Sequence, residues 1–201
     1  MRAFSDKIIE AVRREIINAE FAGATLIGHS MGGALACVLA ADPALKIGKV
    51  ILIDSSTPMP QDRMEATAVK MANWISRAKQ DGRIGAQSEW VADCPNWVPA
   101  FFNANDSGTS RALIESRFSF APVVEAAAAI GGGVQWPITE SLQKLTCPIY
   151  ALSCNPGRMP VAEMRKYRPD IPIKILPDVG HYPHVFKSNR VRQLLTNWLN
   201  E

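Results

Sequence analysis

The chain has 201 residues, a hydrophobic share of 47%, a charged share of 20% and a formal net charge of +3. Such a composition fits one globular domain with a buried core and room for an insertion. It offers no basic stripe for a nucleic acid and no apolar run of bilayer length.

The four cysteines, Cys37, Cys94, Cys147 and Cys154, lack metal-ligand spacing. The opening residues are polar and do not read as a secretory signal. Reduced thiols and a cytoplasmic location are therefore expected, with no metal and no cofactor.

In chain order, residues 4 to 20 place Phe4, Ile8, Ile9, Val12, Ile16 and Ile17 at helical spacing, which predicts an amphipathic helix over a sheet face. Residues 24 to 29 read as a strand. A helix of small residues follows Ser30, reaches about Ala41 and stops before Pro43. Residues 49 to 54 are apolar without alternation, as in a parallel strand buried on both faces.

Residues 58 to 140 contain no convincing strand. Helices are expected over 62 to 80, around Glu89–Ala92, over 109 to 118 and over 122 to 130. Pro95, Pro99, Ser107-Gly108 and Gly131-Gly132-Gly133 separate them. Strands return at 148 to 152 and at 171 to 176, the latter with Pro172 and so at an edge. Short and long helices are expected at 160 to 167 and 187 to 199. The predicted architecture is α/β: about four parallel strands, flanking helices and a helical insertion. It divides into a core of residues 1–57 and 141–201 and a helical cap of residues 58–140.

Gly28-His29-Ser30-Met31-Gly32 reads G-x-S-x-G between a strand and a helix. That context suits a sharp turn that lifts a serine hydroxyl clear of the backbone. A serine needs a base within hydrogen-bond reach, and the base needs an orienting acid. His181, on the loop after the fourth strand, is the expected base and His184 the alternative. His29 adjoins Ser30 and cannot easily turn its ring onto that hydroxyl.

These features together resemble the α/β-hydrolase superfamily, in the branch of small esterases, enol-lactone hydrolases and haloperoxidase-like enzymes. The resemblance rests on Gly28–Gly33, on Lys49–Asp54, on a helical cap with Trp136 before the return to the core, on Cys147-Pro148-Ile149, and on Gly180-His181 with Pro183. It covers nearly the whole chain and implies the order serine, acid, histidine. Many relatives carry an acid after the strand that precedes Ser153-Cys154-Asn155, where this chain has none. Others carry it 24 residues past the serine, the position of Asp54. Asp54 is therefore the expected acid, with Asp178 as runner-up and Asn155 as a neutral partner. The Met31 N–H is the implied oxyanion donor. Relatives have about four further strands before the elbow, with a second donor, so the fold is expected to be truncated.

The resemblance implies a serine hydrolase of carboxylesterase type acting on small or medium acyl esters. Lactone hydrolysis, perhydrolysis and C–C bond hydrolysis use the same residues. The rival reading is a non-catalytic binding or interaction module. The strand over 24 to 28 would lie at a sheet edge, apolar and uncharged, which invites a homodimer. The tryptophans and phenylalanines of the insertion are expected mostly as its core.

Overall fold

A computed structural model describes residues 1–155 and 157–201. The described residues form one four-stranded sheet of parallel strands in the order β1 (Thr25–His29), β2 (Lys49–Ile53), β3 (Ile149–Cys154), β4 (Ile173–Leu176). The central strands are apolar because both of their faces are covered. Val50, Ile51, Leu52, Ala151 and Leu152 have no solvent exposure.

One face is covered by α1 (Arg2–Asn18), α2 (Met31–Ala40), α7 (Ile138–Lys144) and α8 (Val161–Tyr167), whose buried residues include Ile16, Leu39, Leu142 and Met164. The other is covered by α10 (Ser188–Asn200), which buries Val191 and Trp198 against Ile51 and Leu152. Between β2 and β3 run α3 (Gln61–Gln80), α4 (Gly82–Trp97), α5 (Thr109–Phe120) and α6 (Val123–Gly133). They hold a core of their own around Met71, Trp74, Trp90 and Phe102. Edge-to-face stacking of Trp74 on Trp90 and of Trp90 on Trp97 extends through it.

Several boundaries differ from those the sequence predicts. The Gly131–Gly133 run does not end α6 but belongs to it. A Cβ on Gly131 would lie 2.4 Å from Met1 Sδ, and one on Gly132 would lie 2.5 Å from Ser5 Oγ. Close packing of α6 on α1 thus outweighs the poor helix propensity of glycine. The helix α4 runs through Pro95, held by the buried stripe Trp90, Cys94 and Val98. Ser153 and Cys154 continue β3 rather than forming a loop. The short helices α7 and α9 (Pro183–Phe186) are additional to the expected elements. Both β1 and β4 are edge strands, as expected. The helix α1 packs on α2 and α6, so the outer side of β1 stays open and Ile27 is 46% exposed.

Candidate active site

In an open parallel sheet the loops that leave the carboxyl ends of the strands converge on one side, and ligands bind there. Ser30 follows β1, Asp54 follows β2, Asn155 follows β3 and His181 lies on the loop after β4.

Ser30 occupies a strained turn with φ 54° and ψ −123°, a backbone state that costs a non-glycine residue on the order of 1–3 kcal/mol. Neighbouring bonds hold it there. Its N–H donates to Ile53 O at 3.1 Å, and its carbonyl accepts from Gly33 N at 3.0 Å and from Ser55 Oγ at 2.8 Å. The flanking glycines are unequal. A Cβ on Gly28 would lie 2.3 Å from Gly32 O, and one on Gly33 would lie 2.6 Å from Ser55 Oγ. A Cβ on Gly32 would meet nothing within 4 Å. Gly28 and Gly33 are thus the glycines that the turn requires, and the final glycine of the pentapeptide is not. Met31 opens α2, where the first backbone N–H groups have no intrahelical acceptor.

Asp54 is fully buried, with φ 40°. Its Oδ1 accepts from Cys154 N at 3.2 Å and from Met159 N at 3.4 Å, and its Oδ2 accepts from Arg158 N at 2.9 Å. The same Oδ2 receives His181 Nδ1–H at 2.7 Å. A buried carboxylate with this many donors is well satisfied as an anion. With Nδ1 donating, His181 Nε2 keeps its lone pair and is a potential base. Gly157 lets the loop close over the acid, since a Cβ there would lie 2.9 Å from Asp54 Oδ1.

The alternatives for acid and base lie elsewhere. Asp178 is exposed. Asn155 uses its backbone, donating N–H to Leu176 O and Val179 O and accepting at O from Asn103 Nδ2. His184 stands in α9 with its ring 4.6 Å from His29. His29 Nε2–H donates to His181 O at 2.6 Å. Burial, and then the neighbouring His181, lower the His29 pKa to about 4, which keeps it neutral. Among the described residues, no hydrogen bond links the Ser30 hydroxyl to His181. Nor do any three His, Cys, Asp or Glu side chains among them form a metal-binding group.

One residue of the site went unnoticed in the sequence. Asp106, on the loop after the 3-10 turn Val98–Phe101, is fully buried. Its Oδ2 accepts from Asn103 N at 2.9 Å and from Gly180 N at 2.8 Å, and its Oδ1 has no partner among the described residues. His181 N donates to Phe101 O at 2.7 Å. The inserted segment thereby grips the backbone on which His181 stands. No side chain fits at Gly180, where a Cβ would lie 2.4 Å from Phe101 O and 2.7 Å from Asp106 Oδ2. In sequence, Asn103–Gly108 reads as an ordinary polar turn, and only the contact with residue 180 gives Asp106 its place.

The model of the alpha/beta hydrolase family matches residues 2–193. In fold the chain is similar to MenH from S. aureus, with a TM-score of 0.74 and 17% identity, covering 97% of this chain and 74% of that one. It is similar to the enol-lactonase from Burkholderia xenovorans at a TM-score of 0.70 and 18% identity, over 96% and 73% of the two chains. A thermophilic esterase from Thermogutta terrifontis gives a TM-score of 0.65 and 24% identity, over 89% and 65%. This chain thus spans part of the length of each of these structures. No curated protein sequence matches it.

Proposed function

The chain belongs to the alpha/beta hydrolase family, and from that premise we propose that it is a serine hydrolase of carboxylesterase type, cleaving small or medium acyl esters through an acyl-enzyme. The observation that carries this reading is the buried His181 Nδ1–Asp54 Oδ2 hydrogen bond at 2.7 Å, in a fold that also holds Ser30 on a strained strand-to-helix turn.

In the proposed mechanism His181 Nε2 takes the Ser30 proton as Oγ attacks the ester carbonyl. Asp54 fixes the imidazole tautomer and stabilises the imidazolium that forms. The Met31 N–H donates to the developing oxyanion at the α2 N-terminus. His181 then protonates the leaving alcohol, and a water activated by the same imidazole releases the acid. Residues 58–140 serve as a cap over residues 1–57 and 141–201, and their Phe101 and Asp106 hold the base loop. We also propose that two copies pair along the open edge of β1, where a partner can supply a second oxyanion donor.

A fluorophosphonate probe tests the reading directly. Wild type is expected to become labelled in proportion to time, and Ser30→Ala is expected to remain unlabelled. Equal labelling of both would reject Ser30 as the nucleophile. The rival reading, a binding module on the same fold, is favoured by the lack of a Ser30–His181 hydrogen bond. It predicts that folded wild type resists the probe altogether.

A further inference from the structure

We propose that Arg158 forms an anion-recognition corner of this site, and that the ester substrate carries a carboxylate near its scissile carbonyl. This rests on the serine hydrolase reading and names its substrate class.

Arg158 belongs to the loop that wraps Asp54, and its own N–H donates to Asp54 Oδ2. Its guanidinium carbon stands 4.1 Å from the centre of the Phe101 ring. That ring in turn lies 5.2 Å from the His181 imidazole. The cation is therefore one aromatic ring away from the proposed base, held by its backbone at one end and by stacking at the other.

Arg158 is half-buried, yet among the described residues no carboxylate lies within 4.0 Å of its guanidinium. The other half-buried arginines, Arg13, Arg111 and Arg168, each have such a partner. A partly desolvated cation without a paired anion is costly. Asp54 attracts the cation from a distance but does not bond it, because its oxygens are occupied by His181 and three backbone N–H groups.

Burial, and then the charge of Arg63 on α3, lower the Arg158 pKa, against a smaller opposing pull from Asp54 and Tyr182. A guanidinium presents a planar fork that matches a carboxylate in two parallel hydrogen bonds.

The test uses the Ser30→Ala protein, which cannot turn over an ester, and calorimetry with two ligands. One is the monophenyl ester of succinic acid, an anion. The other is phenyl methyl succinate, its neutral counterpart. The half-ester is expected to bind at least tenfold more tightly. Arg158→Met on the Ser30→Ala background should abolish that preference, and Arg158→Lys should retain part of it. Equal affinities of the two ligands would overturn the proposal. An equal loss of both on Arg158→Met, with preference intact, would also overturn it and make Arg158 a counter-charge for Asp54. Because binding is read without turnover, failure here is distinct from failure of the fluorophosphonate test.

Discussion

Asp54 has two tasks that one substitution separates. Its carboxylate orients His181, and it also accepts from the N–H groups of Cys154, Arg158 and Met159. Asp54→Asn keeps the size and an acceptor oxygen but can present N–H to the imidazole, favouring the wrong tautomer. A fall in kcat of about a hundredfold or more is expected, with the fold retained by circular dichroism. A change of less than about threefold would remove Asp54 from the mechanism. His29 carries a prediction about pH. Its pKa is about 4 in the folded chain and near 6.5 when unfolded. Between those values the unfolded chain binds the extra proton, so stability falls as pH drops through that window. The loss approaches roughly 3 kcal/mol at the lower end. The lowered pKa of His184 acts in the same direction. The denaturant midpoint should therefore fall from pH 7 to pH 4.5, and His29→Gln should flatten the decline.

At the scale of elements, β2 and β3 could be read because a doubly buried parallel strand is an apolar run. The common placement of Ser30, Asp54 and His181 at one end of the sheet could be read because each follows a strand in the chain. Two kinds of feature could not. Gly131–Gly133 are helical only because Met1, Ser5, Met31 and Met71 close on them, and local propensity opposes that outcome. The role of Asp106 depends on Gly180, 74 residues away. Asp106→Ala frees the Gly180 N–H and loosens the loop that carries His181. A fall in kcat of about ten- to a hundredfold is expected, with KM little changed. Asp106→Asn retains an acceptor oxygen and should restore most of the rate. If the asparagine variant is as slow as the alanine variant, the tether is not what Asp106 supplies.

For the whole molecule, the open side of β1 dominates. Among the described residues β1 pairs with β2 alone, beside the half-exposed Ile27, and an unprotected edge of that kind readily pairs with another chain. Light scattering is expected to give twice the 22.0 kDa chain mass. Ile27→Lys should shift the protein to the monomer, because an edge lysine opposes strand addition. A wild-type monomer at working concentration would reject the pairing.

The grip of the inserted helices on the base loop has a consequence for the order of folding. Pairing β2 with β3 closes the whole inserted segment into one loop, and the entropic cost of that closure grows only with the logarithm of its length. The proposed acid, base and loop supports come from four separated stretches: Asp54, Phe101–Asp106, the group Cys154, Arg158 and Met159, and Gly180-His181. They meet only after that closure and after the helices have docked. A refolding chain should therefore regain helix and buried tryptophan first and reactivity at Ser30 last. Under mild denaturant the same step should fail first, leaving a folded sheet whose base has drifted from its acid.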